Sequence, residues 1–338
     1  MKFKLSITFL FVALIASSVS AITSYNWSSS AAADWDDNDG ASWADELGTL
    51  VQKPNGLYEV RIKSSGLVAR LDTVEGDWSA TGAGTRLRIY DGATLNIVDG
   101  GDLRGFGWIR IGDATGNKGQ IGILNQSGGQ ILLRKLKESG KLCIGDGAGI
   151  IQGSTYTISG GILTYDVADA TCAGQLIVGS RDGQGSFVVV GDAPVIQMRN
   201  LYVAGETGYN STIGTLEFRV GSNGVSSINL AGTAYLDRGT NTVANLVVGL
   251  TAAPVRGRDI LLVNANSRIQ GVFDSLNGGS AAEGALVSLG FGGVNYNYAL
   301  TYAGGSNNNS ITLLCVPEPA TVALISLGLG LLSIRKKS

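Results

Sequence analysis

From Leu57 onward the chain alternates short apolar runs with Gly, Asp and Ser turns. Leu57-Tyr58-Glu59-Val60-Arg61-Ile62 and Leu67-Val68-Ala69-Arg70-Leu71 carry the period of two that marks a strand with one buried face. The pattern then repeats. Leu87-Arg88-Ile89-Tyr90-Asp91, Ile109-Arg110-Ile111-Gly112-Asp113, Leu142-Cys143-Ile144-Gly145-Asp146, Leu176-Ile177-Val178-Gly179-Ser180 and Tyr202-Val203-Ala204-Gly205-Glu206 align. Their third members lie 22, 33, 34 and 26 residues apart. A second strand with a Gly turn follows the first three copies, at Leu95 to Gly101, Ile123 to Gly129 and Tyr156 to Gly161. Phe187 to Asp192 and Phe218 to Gly224 are weaker versions. A third apolar run completes the unit at Ile131-Leu132-Leu133, Ile162-Leu163-Thr164 and Val195-Ile196-Gln197.

Three strands in 22 to 34 residues suit one coil of a solenoid. Each strand would stack on its counterpart in the next coil about 4.8 Å away, with Gly at the corners. A propeller needs longer four-stranded units, and a jelly roll does not repeat this way. The expectation is an all-β chain, a parallel, right-handed β-helix (β-solenoid) over residues 57–315, ending in a single hydrophobic helix. After Asn241 the repeat loosens, but further strands are expected at Asn241 to Val248, Asp259 to Val263, Arg268 to Phe273, Tyr296 to Tyr302 and Ile311 to Leu313.

Composition agrees. Gly is 50 of 338 residues and Pro only 5, which favours many strands and tight turns over disorder or helical bundles. A net charge of −2 gives no electrostatic case for nucleic acid. With His at 0, Ser-His-Asp triads, Cys-His pairs and His-ligated zinc are excluded. Three cysteines make no disulfide framework. Cys143 and Cys172 lie about one coil apart, so a Cys143–Cys172 bond is one option; Cys315 is expected to be free. Carboxylate-only chemistry, as in glycosidases or calcium-dependent polysaccharide lyases, remains conceivable. Its only candidates are Asp91, Asp113 and Asp146 beside Arg88 and Arg110, the outward members of the first strand. The three Asp residues recur just after a corner, so they serve either as calcium ligands between coils or as turn acceptors for their own backbone. The expectation is a protein that is not an enzyme.

The ends carry different signals. Lys2 and Lys4, the apolar run Ile7 to Ala16 and the small-residue site Val19-Ser20-Ala21 read as a signal peptide over 1–21, cleaved after Ala21. Residues 22–56 form a Trp-rich N-terminal cap, in which Trp27, Trp35 and Trp43 stand eight apart, each behind a turn-former. The three rings can seal the open edge of a first coil or offer a carbohydrate platform. Within the cap, Asp34, Asp36 and Asn38 hint at a loose calcium site, although Gly40 is out of register for an EF-hand loop. No cofactor other than calcium is suggested.

Residues 316–338 open with Val316-Pro317-Glu318-Pro319, continue uncharged through 320–334 and close on Arg335-Lys336-Lys337. As a helix, 320–334 rises about 22 Å, short of the roughly 30 Å hydrocarbon core, so it would span only with bilayer thinning. The cations would stay cytoplasmic by the positive-inside rule. This tail resembles the PEP-CTERM sorting signal of bacterial proteins handled by exosortase. The W-x7-W-x7-W opening and the closing order Ile269-Gln270-Gly271-Val272-Phe273, Tyr298-Ala299-Leu300-Thr301-Tyr302 and Ile311-Thr312-Leu313 resemble secreted, autotransporter-like β-solenoid proteins with such tails. The resemblance implies an exported chain, membrane-anchored through its C-terminus, then processed by an exosortase-type enzyme. Delivery to the cell envelope, surface or extracellular matrix would follow, in a structural or adhesive role with extracellular polysaccharide as a partner. The alternative is a glycan-binding or calcium-dependent polysaccharide-cleaving β-helix.

Overall fold

Successive period-two runs turn a corner rather than reverse, so each strand finds its partner one coil away. The structure, a computed structural model, describes residues 26–27, 59–63, 68–71, 86–113, 121–135, 139–147, 153–205, 212–305 and 307–317. The described residues are all-β, and from Arg86–Tyr90 to Leu276 every third strand falls in the same sheet. The first sheet runs from Asn26–Trp27 and Glu59–Lys63 through Arg86–Tyr90, Trp108–Asp113, Lys141–Asp146, Gln175–Ser180, Asn200–Val203 and Thr233–Leu236 to Arg268–Gln270. The second runs from Val68–Leu71 through Ala93–Ile97, Gly122–Gln126, Ser154–Ile158, Gln184–Val190, Ile213–Val220 and Val243–Leu250 to Ser275–Leu276. The third runs from Asp102–Phe106 through Gln130–Leu133, Ile162–Tyr165, Val195–Met198 and Ile228–Leu230 to Ile260–Ala265. Every pairing so far is parallel, which makes the body a β-solenoid.

The alternating residues stack inside. Ile89, Ile111, Ile144, Val178 and Val203 share one line of the first sheet. Leu95, Leu124, Tyr156, Phe187, Leu216 and Leu246 share one of the second, and Leu103, Ile131, Leu163, Ile196 and Ile228 one of the third. All are buried, each side chain contributing about 1.5–3 kcal/mol of hydrophobic stabilisation. The corner between first and second sheets explains the recurring Ile/Val-Gly pair. Gly145 has φ +72°, and a Cβ there would stand 2.0 Å from the backbone O of Gln184.

One polar group interrupts this core. Gln126 occupies a line otherwise held by Ile97 and Ile158. Its amide nitrogen donates to Ile162 O at 3.1 Å and Gly129 O at 3.3 Å, while the Tyr156 hydroxyl donates to Oε1. Burial pushes the Tyr156 phenol well above its ordinary pKa, so it stays a donor. Tyr156→Phe is therefore expected to destabilise the protein by about 1–3 kcal/mol, the cost of stranding a buried acceptor. Adding Gln126→Leu should recover most of that loss; urea midpoints for both variants check it.

Two expectations need correction. The copy around Tyr202 is one residue out of register: Ile177 pairs with Tyr202, not Val203, and Val178 with Val203. The final strands do not form further coils. Ser310–Cys315 pairs antiparallel with Ile260–Ala265, Val294–Gly304 antiparallel with Ser310–Cys315, and Leu286–Phe291 antiparallel with Val294–Gly304. They extend the third sheet past the last coil and bury Tyr298, Leu289 and Ala281. The repeat also persists where its sequence signature fades, through Thr233–Leu236 and Val243–Leu250. Among the described residues no helix is long and apolar enough to cross a membrane; segment 320–334 lies outside them.

Candidate functional site

With the interior filled, chemistry can sit only on the outer faces. On the first sheet, the line Arg88, Arg110, Cys143, Ile177, Tyr202 and Tyr235 points away from the core, and Trp108 lies two residues before Arg110. These residues form a knot. The Arg110 guanidinium lies 3.6 Å from the Trp108 ring centre, and those of Arg181 and Arg86 lie at 5.0 and 5.3 Å. Trp108 donates its indole N–H to Cys143 Sγ at 3.2 Å. Asp146 receives two cations, Arg110 Nε at 2.9 Å and Arg181 Nε at 3.4 Å. The contacts are close in distance but not aligned as straight hydrogen bonds, so the attraction is electrostatic. Cation–π stacking of this kind contributes about 0.5–2 kcal/mol per pair.

Burial decides what the knot can do. Arg88 is 8 % exposed, Arg110 4 % and Asp146 1 %. A polymer chain cannot reach groups so covered, and Asp146 is already committed to two guanidiniums. The arrangement clamps neighbouring coils. Farther along, Tyr202 and Tyr235 stack at 4.7 Å, with Arg238 4.4 Å above Tyr235. This pair lies beyond the register slip, and the sequence reading did not single it out. Trp108 and Arg181 were likewise missed; the available signal was an indole and cations at facing positions of adjacent repeats.

The second sheet presents a different face. One outward line reads Thr94, Ile123, Thr155, Ser186, Thr215, Asn245 and Ser275, and the other includes Asn96, Asn125 and Thr157. Asn125 Nδ2 donates to Asn96 Oδ1 at 2.9 Å, and Ser275 Oγ to Asn245 Oδ1 at 2.7 Å. These two bonds tie neighbouring coils at opposite ends of the sheet. The third sheet adds exposed Gln197 and Asn229, with Ile162 and Val195 also partly exposed. Where the second and third sheets meet, a surface hollow of about 230 Å³ is lined by residues including Val220, Asn223, Val255 and Arg258. Its polar groups serve the frame: Arg258 donates to Asn223 O at 2.9 Å, and Asp259 accepts from Cys315 N at 2.8 Å.

The acids expected beside the corners do not act alike. Asp91 occupies the turn itself, with φ +60°. Asp146 lies in a strand under Arg110, and Asp113 pairs with it in the backbone register. Among the described residues no group of three or more Cys, Asp or Glu side chains gathers as a metal site. Cys143 and Cys172 are not bonded, because the register places Ile177 opposite Cys143. Cys172 is buried near Leu133 O, and burial raises its thiol pKa, which suppresses the reactive thiolate.

Of the terminal signals, little falls in view. The backbone of Trp27 pairs with Ile62 at the start of the first sheet. Val316 donates its N–H to Asn297 O at 2.9 Å, so the described chain leaves the third sheet at Pro317. Val19, Ala21, Asp34, Trp35, Asp36, Asn38, Trp43, Glu318, Pro319, Arg335, Lys336 and Lys337 lie outside the described residues. Fold and faces together define a parallel β-solenoid. Compared with known proteins, the chain matches no family model, no curated protein and no solved structure.

Proposed function

We propose that this chain is an exported, surface-sorted β-solenoid with a structural or adhesive role and no catalysis of its own. The observation that carries the reading is the outer face of the second sheet, rich in Thr, Ser and Asn, where Asn125 bonds Asn96 and Ser275 bonds Asn245 between successive coils. Such a face stiffens the coil and offers hydroxyls and amides to hydrated polymers, extracellular polysaccharide among them. The alternative, a glycan-binding or glycan-cleaving groove, needs reachable carboxylates and cations on one face. Of its sequence candidates Asp91, Asp113, Asp146, Arg88 and Arg110, the last three are buried, and Asp91 is half-buried in its turn.

Export rests on the signal peptide, and sorting on Val316-Pro317-Glu318-Pro319, the apolar stretch 320–334 and the terminal cations. An exosortase-type enzyme would be the processing partner and the membrane a transient one. The test is the intact mass of protein recovered from the surface of bacteria with a working exosortase. Loss of residues 1–21 and of the chain beyond the Pro317–Pro319 region is expected. Recovery of surface protein that still contains Ile334 and Arg335 sinks the processing step.

A further inference from the structure

The three sheets end differently at the C-terminal end of the solenoid. The first stops at Arg268–Gln270, three residues opening on a cation, and the second at Ser275–Leu276, two residues folded over by the Leu276–Gly279 bridge. Short, charged or folded ends are how sheets avoid unwanted pairing. The third sheet instead continues through three antiparallel strands and ends on Leu286–Phe291, a six-residue strand whose outer edge pairs with no other described strand. It holds no Pro and no charge, and residues 284–317 contain no charged residue at all. Leu286 is 74 % exposed, the most of any large apolar side chain described.

Backbone geometry fixes what can fill this edge. Leu300 N donates to Ala285 O, and the ladder continues through Val287–Tyr298, Leu289–Tyr296 and Phe291–Val294. In an antiparallel pair the bonded positions alternate. The odd-numbered residues therefore bond inward, and Leu286, Ser288 and Gly290 direct their N–H and C=O outward.

We infer that this edge pairs with the same edge of a second copy, giving a two-fold symmetric dimer with a continuous third sheet. With Ser288 on the axis, Ser288 bonds its own counterpart, and Leu286 bonds Gly290 of the copy in both directions. Every outward backbone group in the strand is satisfied. The side chains also complement one another: Leu286 projects where Gly290 has no Cβ, and a Cβ at Gly290 would meet only Asn295 Oδ1 at 3.4 Å. A surface without charge meets itself without like-charge repulsion, the requirement for an isologous contact. Both chains then leave for their tails at Pro317, two strands from the junction. The inference does not depend on export or tail processing.

The test uses the full chain in detergent, with Cys315→Ser to remove the half-buried thiol. Sedimentation should give twice the chain mass, and Ser288→Cys should form a disulfide-linked dimer on oxidation. A bonded antiparallel pair sets Cα atoms about 5.5 Å apart, inside the disulfide range of about 4.4–6.8 Å. Asn297→Cys, one strand inward on each copy, lies about 14 Å from its counterpart and should not cross-link. Ser288→Pro and Leu286→Lys should each halve the mass while leaving the circular dichroism spectrum unchanged. A monomeric parent chain overturns the inference, as does a dimer that survives both edge variants, or cross-linking through position 297 that equals that through 288.

Discussion

Asp146→Ala is expected to lower the stability of the protein by about 3–5 kcal/mol, the cost of leaving a buried cation without its partner. Arg110 is 4 % exposed and cannot recover its hydration by swinging out. It also lies over the Trp108 ring at 3.6 Å, which holds the guanidinium in place after the carboxylate is gone. Arg181, at 3.4 Å from Asp146, is more exposed and can turn to solvent, so most of the cost falls on Arg110. The double variant Asp146→Leu with Arg110→Met removes both charges and should restore most of the loss, since well-packed apolar replacements of buried pairs are often neutral or better. In a solenoid each coil leans only on its neighbours. Hydrogen exchange should therefore show protection lost first in Trp108–Asp113, Lys141–Asp146 and Gln175–Ser180. An Asp146→Ala protein with an unchanged urea midpoint and unchanged exchange in these strands contradicts the clamp.

The inner lines of the solenoid were legible because burial on one face imposes the period of two, and the corners because a left-handed backbone selects Gly. The slip at Tyr202 shows the limit of that second cue. At the preceding corners one glycine, Gly112, Gly145 or Gly179, directly follows the inward Ile or Val, each with positive φ. At the next corner Ala204 takes that place with φ +60°, followed by Gly205 at φ +104°. Aligning on the glycine moves the strand by one residue and exchanges its faces. This hid Tyr202 from the outer line and its stacking with Tyr235.

Strand direction at the end of the body was less legible, because period-two alternation looks the same in parallel and antiparallel strands. Connection length carries that information. Gly292-Gly293 joins Leu286–Phe291 to Val294–Gly304, both glycines at positive φ, a two-residue loop that only a hairpin can use. The knot around Trp108 was legible as residues but not as a site. Arg110 and Asp146 stand out in the repeat, yet alternation says only which side of the sheet a residue takes. Whether that side is covered depends on what packs over it, and here cover turns candidate ligands into a structural pair.

Gly145→Ala and Gly191→Ala together separate the two reasons for glycine at a corner. Both positions have positive φ, +72° and +67°, so either alanine carries roughly 1–2 kcal/mol of backbone strain. At Gly191 a Cβ would meet nothing within 4 Å, and the cost should stop there. At Gly145 the same atom would stand 2.0 Å from Gln184 O and 2.2 Å from Gln184 C, both backbone atoms of the next coil. The coils must then part at that corner, adding an overpacking cost of about 1–3 kcal/mol and loosening the register of Lys141–Asp146 on Gln175–Ser180. Gly145→Ala is thus expected to lose about 2–5 kcal/mol in urea unfolding and to speed exchange in both strands. Gly191→Ala should lose less than half as much and leave exchange outside its own turn unchanged. Equal losses for the two variants would mean that the corner needs glycine only for its dihedral angles, and that close stacking of successive coils does not depend on the missing side chain.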